Sequence, residues 1–313
     1  MNAGLEPAGS ALARSLSAGL FTLTTEVTPP VATDLAAFVA RTREIKGLAT
    51  AVNVTDGAGA RAHLSTLVAA HALLENGIEP VMQMVCRDRN RIALQADLMG
   101  ALALGIKNVL VLTGDDPQVG DQPEAKGVFD LSGGAALAMF GRMRAERVLP
   151  TGTAIHGPFD LFLGTADIPL DPPADWDAAG PRAKLAAGAN FVQTQFCMDS
   201  RHVRRYAARL VELGVAQRLP ILIGVAPLPS VRSALWMREH LFGTVIPDAV
   251  VARLARASDP KAEGIAICAE LLQQLAETPG IAGAHVMAPQ NHSAIPEAMA
   301  KAGVAGRRRA AMR

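Results

Sequence analysis

Short apolar runs rich in β-branched residues alternate along the chain with longer segments rich in alanine and leucine. The apolar runs are nearly continuous, a pattern typical of parallel strands that are covered on both faces. We predict eight strands, at Leu20–Glu26, Leu48–Val54, Pro80–Cys86, Asn108–Thr113, Phe159–Thr165 (or Thr153–His156 just before it), Asn190–Gln195, Pro220–Val225 and Ala284–Met287. Their regular alternation with helical segments indicates a parallel sheet.

The segments between the strands have the end residues of helices. Thr33 or Asp34 can cap the first helix, and Gly77 and Gly105 follow the ends of two others. We predict helices at Thr33–Thr42, Arg61–Asn76, Asn90–Leu104, Gly134–Glu146, Trp176–Ala187, Ser200–Leu213, Val231–Leu241, Asp248–Ala255 and Lys261–Glu277.

Eight strand–helix units predict an α/β fold, a (β/α)8 TIM barrel. Residues 1–313 would form a single domain, with flexible ends at about 1–18 and 304–313. A six-stranded Rossmann sheet is the main alternative. However, no GxGxxG motif follows the first strand, and the nearest candidate, Asp56–Ala60, follows the second strand with different spacing. A closed barrel therefore accounts better for the pattern.

Composition limits the classes of partner. The chain has 30 basic and 29 acidic residues, so no overall charge favours nucleic acid or a membrane surface. The three cysteines are far apart and the seven histidines form no metal-binding motif, so we expect neither disulfides nor a metal site. We find no membrane-spanning apolar stretch and no secretory signal, which favours a cytoplasmic protein. The sequence leaves open whether copies of the chain form a homo-oligomer.

Polar residues collect where the predicted strands end. In a barrel of this kind the chemistry lies at the carboxyl ends of the strands, so we expect a functional site there. These positions hold Thr25, Glu26, Asn53, Thr55, Asp56, Gln83, Arg87, Asp88, Thr113, Gly114, Asp115, Asp116, Gln193, Thr194, Gln195, Gln290 and Asn291.

Each of the main candidates also has an ordinary structural interpretation. Glu26 can act as a general acid in apolar surroundings, but it can equally pair with an arginine or cap a helix. Gly114 and Asp115 can bring a flat ligand close to the backbone or simply form a turn. Gln195 can hydrogen-bond a heterocycle or be a satisfied core amide. The cluster Arg87–Arg91 can grip an anionic cofactor or lie in solvent.

Five segments of this chain, in order, resemble motifs of the methylenetetrahydrofolate reductase family, and the similarity extends from about Phe21 to Ala288. The segments are EVTPP at 26–30, VTDGA at 54–58, CRDRN at 86–90, NVLVLTGDDP at 108–117 and AGANFVQTQFCMD at 187–199.

The resemblance implies a (β/α)8 barrel that reduces 5,10-methylenetetrahydrofolate to 5-methyltetrahydrofolate with NAD(P)H, usually through FAD. Glu26 would protonate an imidazolidine nitrogen of the folate, and Asp115 would stabilise the resulting cation. The folate would contact Gln195, Gln193 and Trp236. The cofactor would contact Thr55, Gln83, Thr113, Gly114, Asp177 and Lys184.

The chain departs from the family at several flavin-contacting positions. Thr113 stands where typical members have arginine, Gln83 stands where many have histidine, and the fifth strand lacks a clear counterpart of a flavin-contacting tyrosine. Two interpretations therefore stay open: FAD bound through altered contacts, or hydride passed directly from NAD(P)H to the folate. The site could also run the oxidative reaction in methyl-group catabolism, or belong to a non-catalytic subunit of a one-carbon complex.

Overall fold

Eight parallel strands close into a barrel in the computed structural model, which describes residues 9–288 and 292–312. Each strand pairs with the next one, and the eighth closes the ring against the first with Thr24 opposite His285. The predicted (β/α)8 fold is confirmed. The strands are β1 Thr22–Val27, β2 Ala51–Val54, β3 Pro80–Val85, β4 Asn108–Leu112, β5 Phe162–Asp167, β6 Phe191–Phe196, β7 Ile221–Val225 and β8 Gly283–Val286.

Helices surround the strands and bury their apolar faces against the outside of the barrel. Asp34, one of the two predicted caps, accepts a hydrogen bond from the backbone N–H of Ala37. No helix in the described part of the chain is long and apolar enough to cross a membrane. The helices are α1 Ala11–Ser17, α2 Leu35–Thr42, α3 Thr66–Glu75, α4 Arg91–Ala103, α5 Gly133–Glu146, α6 Ala179–Ala186, α7 Ser200–Glu212, α8 Val231–His240, α9 Asp248–Arg256, α10 Pro260–Ala276 and α11 Ala294–Ala302.

Four predicted elements start three or more residues too early. Two of them are β2, which starts at Ala51 rather than at Leu48, and α6, which starts at Ala179 rather than at Trp176. The fifth strand is not Thr153–His156, because Ala154 pairs antiparallel with Val148 in a separate bridge. The strand instead starts at Phe162, three residues after the other predicted start. Helix α3 starts at Thr66 rather than at Arg61, because Ala58–Ala60 form a short 3₁₀ turn and the chain then runs irregularly into the helix.

Helix α1 closes the amino-terminal end of the barrel, where we expected a flexible end. The hydroxyl of Ser10 accepts from the N–H of Ala13 and begins the helix. Leu12, Ala13 and Leu16 share one face and are completely buried. They belong to one buried cluster with Ala51, Val81, Leu110, Phe162, Phe191, Leu222 and Ala282. This buried cluster, which includes α1, is the apolar floor of the barrel. Because the apolar face of α1 is buried in it, residues 11–17 are an ordered part of the barrel.

The carboxyl-terminal segment also packs on the barrel rather than forming a free end from residue 304. Val304 is fully buried. The backbone of Phe21 donates to the carbonyl of Arg307 and accepts from Gly306, while Leu20 and Arg308 form an antiparallel bridge. These backbone contacts correct our expectation of a flexible end over the described residues 304–312.

The barrel interior changes from apolar to polar toward the carboxyl ends of the strands. Side chains alternate along a strand, so Thr22, Thr24 and Glu26 of β1 share one face. Hydrogen bonds from Thr24 to β6 and β8 show that this face is the inside. Many barrel interiors are filled by branched apolar residues. Here the apolar floor lies below a polar layer, which includes Thr24, Asn53, Gln193 and His285.

Candidate active site

Glu26 lies at the carboxyl end of β1, above the polar layer, and its side chain is 21% exposed. Its carboxyl Oε2 is 3.8 Å from Nε2 of His285, a nearly buried residue on the neighbouring strand β8. Apo active sites often hold such pairs slightly beyond hydrogen-bond length and tighten them when substrate binds. Strand pairing therefore gives the predicted acid a histidine partner.

A second histidine lies near Glu26. His292 follows β8, and burial lowers its pKa; the positive charge of Arg41 lowers it further, while the charge of Glu26 opposes both effects. Neither histidine was predicted from the sequence as a site residue. His285 could have been noticed as a lone histidine inside the apolar run of the eighth strand, whereas His292 carries no comparable signal.

Three side chains connect His285 to strands β6 and β2. His285 Nδ1 lies 2.9 Å from the hydroxyl of Thr24, and Nε2 of Gln193 donates to that same hydroxyl at 3.0 Å. Gln193 and Asn53 then exchange two hydrogen bonds, of 2.6 Å and 3.1 Å. All four residues are buried, so their polar groups satisfy one another in the absence of solvent.

Gln195 sits in an irregularity of β6, where the pairing with β7 shifts between Gln193 and Phe196. A Cβ at Gly224 would lie only 2.3 Å from the carbonyl oxygen of Thr194, so the bulged backbone requires glycine there. The side-chain oxygen of Gln195 accepts from the N–H of Phe196, and its side chain is partly exposed. Bulges of this kind redirect side chains beside functional sites.

Residues after β4 form the rim next to β3. The hydroxyl of Thr113 accepts from the N–H of Gly133 at the start of α5. Gly114 has φ of +91°, and a Cβ there would lie 3.0 Å from Cβ of Arg87. The glycine thus makes room for the protein's own arginine. Asp115, the next residue, is exposed.

A cavity of about 340 Å³ opens beside these rims, between the segments that follow β2, β3 and β4. Its basic side chains are Arg61, His63, Arg87, Arg89 and Lys126, against the acidic Asp56 and Asp88. The cavity is therefore basic on balance.

Two arginines of this cavity are held by carboxylates. The guanidinium of Arg87 donates hydrogen bonds to Asp88, and these bonds raise its pKa. The nearby charges of Asp56 and Asp115 raise that pKa further. Arg89 bridges Asp56 at 2.6 Å and Asp97 at 2.7 Å. Neither arginine is free to act as a mobile charge, so Arg61 and Lys126 are the exposed cations of the cavity.

The residues that the resemblance assigns to a flavin are mostly engaged within the protein. Lys184 Nζ pairs with Oδ1 of Asp167 at 2.8 Å, and both side chains are largely buried. Asp177 accepts from the N–H of Ala179 at the start of α6. Thr113 and Gly114 have the internal contacts described above. Thr55 is the exception, because its buried hydroxyl has no partner in the described part of the chain.

Four further predicted residues are less informative. Gln83 is nearly buried on β3. Trp236 lies half-exposed on α8 and stacks on His240 of the same helix, with the ring centroids 5.1 Å apart. Gln290 and Asn291, which we expected at the end of strand eight, lie outside the described residues. Within residues 9–288 and 292–312, no three His, Cys, Asp or Glu side chains are grouped as metal ligands.

Comparison with known proteins gives one family. The methylenetetrahydrofolate reductase family model matches residues 11–303. A probable methylenetetrahydrofolate reductase (NADPH) from Caenorhabditis elegans is 29% identical over 168 residues, which are 52% of this chain and 23% of the nematode protein. Methylenetetrahydrofolate reductase 2 from Schizosaccharomyces pombe (strain 972 / ATCC 24843) is 25% identical over 215 residues, 66% of this chain and 32% of the yeast protein. The chain thus matches less than a third of the length of either relative.

One solved structure has the same fold along nearly the whole chain. It is an uncharacterized protein from Clostridium thermocellum that binds two copies of 5-methyl-5,6,7,8-tetrahydrofolic acid. The TM-score is 0.65, and the match covers 92% of this chain and 96% of the other at 14% identity. At this identity the likeness shows the fold alone.

Proposed function

We propose that this chain, which belongs to the methylenetetrahydrofolate reductase family, reduces 5,10-methylenetetrahydrofolate to 5-methyltetrahydrofolate with NAD(P)H. The observation that carries the proposal is the half-buried carboxyl group of Glu26, which lies at the strand ends beside His285. Family membership supplies the folate class of substrate, and this carboxyl group supplies the acid that the reaction requires.

The role of Glu26 is to move one proton. Its carboxylic acid donates the proton to an imidazolidine nitrogen, and the bond from that nitrogen to the methylene carbon breaks. The electron pair of the bond goes to the nitrogen, and the other nitrogen forms an iminium with the methylene carbon. NAD(P)H supplies the hydride that reduces this carbon. Glu26 is left as a carboxylate and takes a new proton from solvent before the next cycle.

Other residues at the strand ends suit binding of the folate cation. Asp115 is an exposed carboxylate that can face the positive charge of the iminium. The NH₂ group of Gln195 is available for a heterocycle, since only its oxygen bonds to Phe196. Gln193 was expected to contact the folate as well, but both amide hydrogens are used inside the barrel. We assign it a different role below.

We propose that hydride passes to the folate without a flavin, because the residues present do not fit one. Lys184 would have to leave Asp167 before it could hold a phosphate, which would strand a buried carboxylate. Asp167 would also repel a phosphate placed beside it. Asp177 and Thr113 each accept a helix-start hydrogen bond through one oxygen. The hydroxyl hydrogens of Thr113 and Thr55 are the donors left among these residues.

The basic cavity gives the pyridine nucleotide a place for its phosphates. It opens between the segments after β2, β3 and β4, at the same end of the barrel as Glu26. Arg61 and Lys126 are exposed there, and neither forms an ion pair within the described residues. Two unpaired cations attract a diphosphate without the cost of breaking an existing pair.

Two measurements test the proposed function. The purified protein is expected to lack flavin absorbance and to oxidise NADH or NADPH only when methylenetetrahydrofolate is added. Glu26→Gln should lower kcat by roughly 10²–10⁴-fold, the usual contribution of a general acid. Glu44→Gln is the matched control, since Glu44 is an exposed carboxylate away from the strand ends.

The outcomes separate the parts of the proposal. A bound flavin would overturn direct hydride transfer and leave the acid assignment standing. Unchanged folate reduction in Glu26→Gln would refute the acid assignment. Assaying methyl- and methylenetetrahydrofolate in opposite directions distinguishes a reductase from a catabolic oxidase. A chain that turns over neither folate would point to a non-catalytic subunit.

A further inference from the structure

We propose that Asn53 and Gln193, joined across the barrel, are positioning residues that direct the Nε2–H of His285 at Glu26. They act through the hydroxyl of Thr24. The inference rests on the proposed function only in giving Glu26 a catalytic task, because the hydrogen-bond chain itself is a property of the protein without substrate.

The hydrogen atoms can be followed along this chain. Nδ2 of Asn53 donates to Oε1 of Gln193 at 2.6 Å, and Nε2 of Gln193 donates one hydrogen back to Oδ1 of Asn53 at 3.1 Å. The second hydrogen of Gln193 Nε2 goes to the hydroxyl oxygen of Thr24 at 3.0 Å. The hydroxyl of Thr24 has no other acceptor within the described residues, so its single hydrogen goes to His285 Nδ1, at 2.9 Å.

This direction fixes the tautomer of His285. A ring nitrogen that accepts from a hydroxyl carries no hydrogen, so the proton of the neutral ring resides on Nε2. Nε2 is the atom that lies 3.8 Å from Oε2 of Glu26. A small movement on substrate binding brings an N–H donor into contact with the carboxyl group. His285 would then hold the carboxyl in place and stabilise the carboxylate that remains after the proton has left.

The composition of the polar layer supports a purpose for the amide pair. The next side chains below on the same strand faces are apolar: Ala51 precedes Asn53 on β2, and Phe191 precedes Gln193 on β6. Two buried amides add little net stability compared with apolar side chains that fill the same space. We therefore explain the Asn53–Gln193 pair by the side chain that it orients. Gln193 bonds to the hydroxyl of Thr24, and that hydroxyl bonds to His285.

Nitrogen-15 NMR of the full chain labelled at histidine tests the tautomer without any mutation. The wild-type spectrum should show His285 with the shift of a protonated Nε2 and an unprotonated Nδ1. His202 provides an internal reference, because its Nε2 lies 2.8 Å from the carbonyl oxygen of Pro169 and must carry a hydrogen. Assignment follows from the loss of one signal in His285→Gln. A proton on Nδ1 of His285 would overturn the proposal.

Three variants test the connection. Gln193→Leu and Thr24→Val remove successive members of the chain, and both should mix the two tautomers of His285. Thr22→Val is the matched control, since Thr22 is equally buried on the same face of β1 but bonds to Ser15. Thr22→Val should leave the His285 shifts unchanged. Unaltered shifts in both Gln193→Leu and Thr24→Val would also overturn the proposal.

Activity then distinguishes positioning from a merely structural role. In Gln193→Leu and Thr24→Val, kcat should fall about tenfold, as expected for one lost hydrogen bond, while KM for the folate stays unchanged. The pH profile of kcat should shift as well, whereas it should not move in Thr22→Val.

The titratable groups facing Glu26 are His285 and His292, with the charge of Arg41 nearby. An unmoved pH profile in both variants would argue against positioning. A clear Nε2–H tautomer in a protein inactive on folates would refute the proposed function alone.

Discussion

Leu16 gives a direct test of the barrel floor. Its side chain is fully buried between α1 and the lowest interior layer, so Leu16→Ala leaves a cavity that the strands above cannot collapse into. Buried leucine-to-alanine changes cost about 2–5 kcal/mol, and we expect about 3 kcal/mol here. Helix α1 has only seven residues, and isolated helices this short are not stable in water. Packing therefore holds it in place.

The size of the effect has an upper limit. Complete burial of a leucine contributes about 1.5–3 kcal/mol, and α1 contributes only Leu12 and Leu16 as large side chains. Once α1 detaches from the barrel, further truncation of its leucines costs nothing more. The double variant Leu12→Ala/Leu16→Ala should therefore lose less than the sum of the two single variants.

Equilibrium unfolding in urea, followed by circular dichroism, measures these differences. Leu235→Ala is the matched control, because Leu235 is a leucine of α8 that is 39% exposed; it should change stability by less than about 0.5 kcal/mol. Hydrogen exchange of the α1 amides should accelerate in Leu16→Ala before that of the strands. A stability of Leu16→Ala equal to that of the control would refute the packing of α1 as a floor.

Three further predictions concern other parts of the chain. Replacing Arg61 and Lys126 together by serine should raise KM for NAD(P)H several-fold, with little change in kcat, in steady-state assays. Arg91 holds the pKa of Asp130 at about 2, below its ordinary value of 3.8, so Asp130→Asn should lower stability at neutral pH. That difference should fade as the pH falls from about 4 to about 2, where Asp130 becomes protonated and the ion pair is lost. Burial raises the pKa of every cysteine thiol, so a thiol-reactive dye should label none of the three until the protein unfolds.

Each of these three has a contradicting result. Arg43→Ser, at an exposed arginine beyond the cavity, should leave KM for NAD(P)H unchanged, and an equal rise there would remove the evidence for the cavity. A stability difference in Asp130→Asn that persists at pH 2 would show that the ion pair with Arg91 is not its cause. Rapid labelling of a native cysteine would contradict its burial.

The barrel could be predicted from sequence because its signal is repeated eight times. Every strand is covered on both faces, so each appears as an apolar run, and small errors in any one strand leave the count intact. Helix α1 has no such redundancy. Leu12 and Leu16 give one turn of helical spacing, which is too short to distinguish from chance, and only the open end of the barrel explains their burial.

Single residues of the site could be predicted from the sequence, but the contacts between them could not. Glu26 could be singled out because it ends a strand, which needs no knowledge of its neighbours. Its relation to His285 depends on the pairing of β1 with β8, between residues 259 positions apart in the chain. The pair of Lys184 with Asp167 likewise appears only when α6 packs beside β5. The motif that suggested a flavin contact at Lys184 carries no information on this competing partner.

The segment after α1 meets the carboxyl-terminal segment beneath the barrel. The backbone N–H of Arg309 donates to the carbonyl of Gly19, and its guanidinium donates to the carbonyl of Leu16. Gly19 and Leu16 therefore each lie within one hydrogen bond of Arg309. A linker that runs past α1 could join residue 312 to Gly9, the first described residue, and the chain could be cut in the exposed segment after β4 instead, for example between Glu124 and Ala125. Such a circular permutant would keep all eight strands in their cyclic order, since a closed ring of strands has no first member.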